Sequence, residues 1–214
     1  MATVRKWANV AVAMQSALAA ADTITGITTA NPAVVSSTAH GFANGDYVIL
    51  TVQGMYQLNG KVVRVANQTV NSFECEGVNS TSYDTFSSGT AEAITFGSSI
   101  TTATTMTASG GDFDFIDVTT IHVNVKTHIP GLANPITYTF DNLWDIADAG
   151  QIAMKSASDA AAQRAFKFTF GSGGPIMVFS GYVGFTGAPT GNAQDKVTAS
   201  AVITAFGTPT YYAS

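Results

Sequence analysis

The sequence predicts a mainly β protein, and three observations carry that prediction. Apolar and polar residues alternate in YVILTV (47–52), KVVRVA (61–66), SFECEG (72–77) and RAFKFTF (164–170), which is the period of a strand with one buried face. Turn signals punctuate these runs at Asn31-Pro32, His40-Gly41, Asn44-Gly45-Asp46, Leu58-Asn59-Gly60, Glu76-Gly77 and Ser88-Gly89, where Gly, Pro and Asn meet the backbone demands of tight turns. Helical spacing is convincing in one stretch only. A chain of 214 residues has room for one large β domain or two smaller ones.

The first strand is expected at Val10, Val12 and Met14, which alternate. The basic start and Ala-rich stretch before and after them loosely resemble an export signal. Asn9, Gln15 and Ser16 interrupt the apolar run, however, and it is too short to span a bilayer, which takes about 20 apolar residues. Residues 1–24 therefore read as a strand and its exit. Residues 25–93 form a block of short strands and frequent turns, the pattern of a small barrel or sandwich. We expect this block to be an inserted all-β domain, with 1–24 and 94–214 forming the core domain around it. Within the block, Cys75 alternates with Glu74 and Glu76 and is expected to point into a small core beside Phe73. As the sole cysteine it allows no internal disulfide and no cysteine-rich zinc site.

After residue 94 a Thr/Ser-rich strand region (95–109) leads into GGDFDFIDV and then DVTTIHVNVKTHIPGLANPITYTF (117–140). Ile121, Val123, Val125 and Ile129 alternate with His122, Asn124, Lys126 and His128, so a strand or loop with one wet face is expected. Positions six apart on a strand lie roughly 20 Å apart, and Asp117 has the opposite parity, so His122 and His128 do not read as ligands of one metal ion. The helix is expected to start near Asp141 or Asp145, with Leu143, Ile146, Ala147, Gly150, Ala153, Met154 and Ala157 as its apolar stripe. Strands resume at 164–170, 175–185 and 195–207, followed by a TPTYYAS tail. GSGGP (171–175) precedes a strand, so it reads as a hairpin turn and not as a phosphate loop.

Composition bears on function. Hydrophobic residues make up 46% but charged residues only 11%, less than half the usual share of about 25%. Thr, Ser, Ala, Asn and Gly replace the missing charge, as suits a β surface covered by partners. A net charge of −5 with nine Lys and Arg and no run of them argues against gripping nucleic acid by counterion release. The chain has no Gly-x-Ser-x-Gly elbow and no His-Glu-x-x-His pair, so no enzyme is expected and no cofactor is implied. His40 in AHGFANGD reads as a turn histidine capping local backbone. Asp112, Asp114 and Asp117 are a charge cluster too poor in oxygens for Ca²⁺.

Several motifs carry a resemblance. Phe166-Lys167-Phe168, Phe179-x-Gly181-Tyr182-Val183 and Gly207-x-Pro209 follow one another after the helix. Upstream stand Asp117-Val118-Thr119, Ile129-Pro130-Gly131-Leu132, Tyr138-Thr139-Phe140 and Trp144-Asp145. In this order and spacing they resemble the major tail tube proteins of long, flexible-tailed, lambda-like bacteriophages, across residues 94–214. Residues 25–93 are similar to a small β module found repeatedly in phage virion proteins.

The resemblance implies a tail-tube β-sandwich with one flanking α-helix, forming a β-barrel shared through a hexameric ring. Rings would stack into a tube that conducts the genome into the host, in the virion tail after assembly in the host cytoplasm. It also implies a tape-measure protein, tail terminator and distal tail proteins as partners, double-stranded DNA in transit without specific binding, and no membrane. The segment between the Asp117 and Ile129 motifs would be a hairpin or loop reaching the neighbouring ring. That makes Asp117, Thr119, Ile121, Val123, Val125, Ile129, Pro130 and Leu132 candidate contacts between subunits. With charge as guide, Asp112, Asp114 and Asp195, read as lying on core strands, are candidates for a lumen that does not hold DNA, and the inserted domain is expected on the exterior. Alternatives are another tube-fold tail protein (terminator, distal ring or contractile-tail inner tube) and a free-standing glycan-binding β module, suggested by the Thr, Asn and Tyr of the turns in 25–93.

Overall fold

Alternating runs become strands once they find partners, and most of these runs do. The computed structural model describes residues 9–213, so Arg5 and Lys6 lie outside the described residues. The chain forms β1 (Val10–Met14), β2 (Ala17–Leu18), β3 (Asp22–Ile24), β4 (Gly26–Ile27), β5 (Ala33–Ser36), β6 (Tyr47–Gln53), β7 (Val62–Ala66), β8 (Ser72–Cys75) and β9 (Ser88–Thr95). It continues through β10 (Ser98–Ile100), β11 (Ala103–Ser109), β12 (Phe113–Asp117), β13 (His128–Ala133) and β14 (Thr137–Leu143) to α1 (Ala149–Asp159). The last three strands are β15 (Gln163–Phe170), β16 (Ile176–Gly184) and β17 (Thr198–Tyr212).

A seven-stranded sheet runs in the order β10-β1-β15-β16-β17-β14-β11, its neighbours antiparallel. The strand period of two sends Phe166 and Phe168, Met177 and Phe179, Tyr138 and Phe140, and Ile203 to one face, where they are buried together. The rings of Phe168 and Phe179 lie 5.8 Å apart and 11° from parallel, and Tyr138 stacks on Phe179 at 4.8 Å. Val10 and Val12 of β1 line a cleft of about 320 Å³ together with Ala103, Met106 and Phe140. Four strands separate β1 from β11 in the sheet order, so the sheet curls round its aromatic core into a half-barrel.

The helix lies across this core with Met154 and Ala157 buried in it. It begins later than the sequence suggested. Asp148, not Asp141 or Asp145, is its N-cap, with the side chain accepting from Gln151 N–H at 2.9 Å. Residues 137–143 alternate as TYTFDNL and pair with β11 on one side and β17 on the other. That double pairing holds Asp141 and Leu143 in a strand, and Ile146, assigned to the buried stripe, is 77% exposed.

A second sheet of eight strands is drawn from residues 17–95, ordered β2-β9-β6-β7-β8-β5-β4 with β3 also on β9. It has its own core, in which Val35, Leu50, Leu58, Val63, Phe73 and Cys75 are buried. His40 is buried too, and its Nδ1 accepts from Phe42 N–H at 3.0 Å while its ring stacks on Phe42. Burial pushes the Cys75 thiol up to about 12.

The second sheet packs on the face of the first that points away from the aromatics. Ala165, Val178 and Tyr212 are buried there against Val62. The Tyr212 hydroxyl accepts from Arg64 N–H at 2.7 Å, and the Arg64 guanidinium lies 4.5 Å from the Tyr212 ring centroid while pairing with Glu76. Ser180 donates to the Gly60 carbonyl at 2.5 Å and lies 2.8 Å from Gln163 Nε2, which donates to it. Gly60 has a φ of +68°, which favours glycine, and a Cβ there would meet the Phe206 ring at 2.6 Å, so a side chain at this junction would push that ring aside. Lys167 lies over the rings of Tyr47 and Phe96 at 5.3 and 4.9 Å. The residues after 207, expected as a tail, are instead the end of β17. They pair with β16, Ile176 opposite Tyr212, and Thr210 donates to the Val62 carbonyl at 3.2 Å.

Two outcomes follow. Tyr212→Ala removes a buried ring and its hydrogen bond, at a cost of roughly 3 kcal/mol by analogy with other aromatic truncations. The urea midpoint should fall accordingly, and an unchanged midpoint would contradict this docking. For Cys75, the folded thiol stays neutral while the unfolded one ionises from about pH 8.5. Its contribution is therefore complete below that pH and is lost as pH rises toward 12. The native thiol should be unreactive toward a thiol reagent at pH 8 and react on unfolding, and Cys75→Ala should flatten the alkaline fall in stability. Equal reactivity of folded and unfolded protein would show the site to be open.

Candidate functional site

Beyond Ser109 the ribbon of β11 and β14 leaves the sheet. Gly110 and Gly111 adopt φ of +84° and +85°, and a Cβ on Gly110 would lie 2.3 Å from the Pro135 carbonyl oxygen. These two glycines are needed to make the bend. Past it, β12 and β13 pair only with each other, Ile116 opposite Ile129 and Asp117 opposite His128. Pro130 stands opposite Phe115 next to a register shift, a place where a residue without an N–H does little harm.

The strand ends where Asp117 Oδ1 accepts from Thr119 N–H at 2.8 Å, an Asx-type turn. Thr119 Oγ1 then accepts from Thr127 N–H at 3.0 Å, and Val118 N–H donates to the Thr127 carbonyl at 2.9 Å. The Asp117 carboxyl is held below its ordinary value, first by the Thr119 hydroxyl and N–H and to a smaller extent by His128. Residues 118–127 form the tip loop closed by this clamp. Of the strand or loop expected over 121–129, the loop holds as far as residue 127 and the strand begins at His128: Ile121, Val123 and Val125 alternate, but no strand pairs with them. The parity reasoning about His122 and His128 therefore falls, and His128 faces Asp117 across the ribbon. Among the described residues, no three or more His, Cys, Asp or Glu side chains are gathered to hold a metal ion.

This ribbon is apolar and uncovered. Nine of the large hydrophobic side chains exposed among the described residues fall between Phe113 and Leu132, with Ile121 96%, Leu132 87% and Val125 76% exposed. Isolated exposed hydrophobics need no explanation, but a contiguous group on a protrusion does. The candidate contacts Asp117, Thr119, Ile121, Val123, Val125, Ile129, Pro130 and Leu132 all lie on this one element.

The acidic candidates sit elsewhere than expected. Asp112 precedes β12 and its carbonyl accepts from Asn134 N–H at 2.8 Å; Asp114 Oδ1 accepts from Asn134 Nδ2 at 3.3 Å. Both belong to the base of the ribbon, not to the core sheet. Asp195 lies in the loop before β17, capping Lys196 N–H at 2.7 Å. The glycine bend and the long loop after β16 remove all three from core strands.

Sequence reasoning missed a second apolar feature at the other end of β14. Trp144 and Ile146 follow that strand, and with Ile152, Phe185, Asp145 and Lys155 they line an open cleft of about 280 Å³. The Trp144 indole N–H donates to the Gly187 carbonyl at 3.0 Å and fixes its wall. The signal is present in Leu-Trp-Asp-Ile (143–146), whose Leu143 and Ile146 fit the helical spacing as well.

With this geometry in place, comparison with known proteins becomes informative. A family model described as "Phage tail tube protein, TTP" matches residues 53–214. Among solved structures, one titled "Tail of empty GTA particle computed with helical refinement, C6 symmetry" is similar at 12% identity and a TM-score of 0.43, over 56% of this chain and 87% of that one. No curated protein matches the chain.

Proposed function

The chain belongs to the phage tail tube protein family and is a structural protein of the phage tail, and we propose that six copies close into a ring whose neighbours engage through the exposed ribbon. Rings then stack into a tube, assembled in the host cytoplasm around a tape-measure protein and bounded by terminator and distal tail proteins. The observation that carries this reading is the ribbon itself. A protrusion bearing Ile121, Val123, Val125, Ile129 and Leu132 in water has no use for them in the monomer, and Asp117 and Thr119 hold its tip in shape.

Double-stranded DNA passes through such a tube without being gripped. A chain with net charge −5 and nine Lys and Arg offers few cations to release counterions from phosphate, so the inner wall is neutral or negative. The inserted module, expected as 25–93, takes in the whole second sheet from residue 17 to 95, because β2 and β3 pair with β9, and it lies on the exterior. Its support is the packing of that module on the sheet face opposite the aromatic core.

Replacing Val123 and Val125 with Asp should leave a folded monomer with an unchanged melting temperature that no longer forms tubes under electron microscopy. Normal tubes from the double variant would sink the reading. Replacing residues 17–95, which hold every strand of the second sheet, with a short linker, with Val178 and Tyr212 made polar to suit their new exposure, should leave tubes of unchanged inner diameter. Failure to form rings would place the module in the wall.

A further inference from the structure

Two apolar features are left uncovered, and the topology sets them at opposite ends of one strand. The ribbon continues from the Thr137 end of β14, and the cleft walled by Trp144, Ile146 and Ile152 begins directly after its Leu143 end. Seven residues of β14 separate them, roughly 23 Å at the rise of an extended strand. A protrusion and a recess at opposite ends of one strand can be matched reciprocally in a two-fold pair or successively, head to tail. Stacked rings require the second arrangement, because a head-to-tail contact that does not close propagates as an open filament.

We propose that the cleft at the start of α1 is the receptor for the ribbon tip of a second copy of this chain. The proposal rests on the reading of the ribbon as the contact between rings and names its other half. The recess is lined by apolar side chains, with Phe185 at its floor buried and Ile146 and Ile152 exposed at 77% and 56%. At about 280 Å³ it falls just under the range of small-molecule pockets, about 300–1,000 Å³, and it suits a few aliphatic side chains such as Ile121 and Val125. Charge fits as well. The tip loop carries Lys126 and no acid between residues 118 and 127. The receptor lining carries Asp145, while its one cation, Lys155, is paired with Asp159. Complementary charges of this kind select the register of docking more than they add affinity.

The test uses chains with one new cysteine each, because Cys75 is buried. Val125→Cys chains are co-assembled with Ile146→Cys chains and oxidised, and mixed disulfide dimers are the expected product. Val125→Cys with Tyr56→Cys, an exposed position in the turn between β6 and β7, should give at least tenfold less. Separately, Ile146→Asp with Ile152→Asp should leave the monomer folded and abolish tubes. Tubes that form normally from the Ile146→Asp/Ile152→Asp variant, or that yield only Val125–Val125 dimers, would overturn the receptor assignment. In that case the loss of tubes with Asp at 123 and 125 would leave the ribbon reading standing. Normal tubes with Asp at 123 and 125 would instead remove the reading beneath it.

Discussion

A two-stranded ribbon has two faces and no third layer, so it cannot bury its own side chains. In this chain that constraint meets nine large exposed hydrophobics between Phe113 and Leu132, and in the proposed assembly their cover comes from another molecule. Magnitudes show why a repeated contact suits them. Fully burying one such side chain contributes roughly 1.5–3 kcal/mol, whereas bringing two molecules together costs about 4–15 kcal/mol in lost freedom. One or two side chains leave association marginal; most of the ribbon, engaged at once, does not. The glycine bend at 110–111 and the Asp117–Thr119–Thr127 clamp are what keep this surface in one shape before a partner arrives, so less ordering remains to be done on contact.

The sheet that carries the ribbon is built to be rigid from both sides. One face is a stack of phenylalanine and tyrosine rings under α1, and the other receives the second sheet through Val62, Ala165, Val178 and Tyr212. Polar groups at that second face are paired: Ser180 with Gly60 and Gln163, Arg64 with Glu76 and Tyr212. The half-buried Lys167 ammonium, lying over two rings, keeps an electrostatic partner in the ring faces. The second sheet is therefore coupled to the strands beneath the aromatic core and does not hang from a linker.

Much of this was legible in the sequence. Phe166 and Phe168 announce a core face by period alone, Phe73 and Cys75 announce the second core, and the turn residues of 171–175 mark a hairpin that is there. The family resemblance rested on motifs that the family model independently covers from residue 53 onward. What could not be read depended on pairing across the chain. Ile121, Val123 and Val125 alternate as a strand does, but a strand needs a neighbour, and the Asx turn at Asp117 takes it away. Asp141, Asp145 and Asp148 are equally good caps in sequence, and only the pairing of 137–143 on both sides selects Asp148. Tyr211 and Tyr212 follow Gly207 and Pro209, two signals of an ending, but their partners Ile176 and Met177 lie more than thirty residues earlier. The exposed Trp144–Ile146 recess was hidden for the same reason, since apolar residues near a helix are credited to its buried face.

The central claim is that the apolar ribbon is free in the subunit and covered in the tail. Hydrogen–deuterium exchange on the soluble monomer and on assembled tubes measures this directly. The account predicts rapid exchange of the tip amides between residues 118 and 127 in the monomer and their slowing by at least tenfold in tubes, with the core strands β15 and β16 slow in both. Equal, rapid exchange of the tip in monomer and tube would contradict it, because assembly would then be using some other surface.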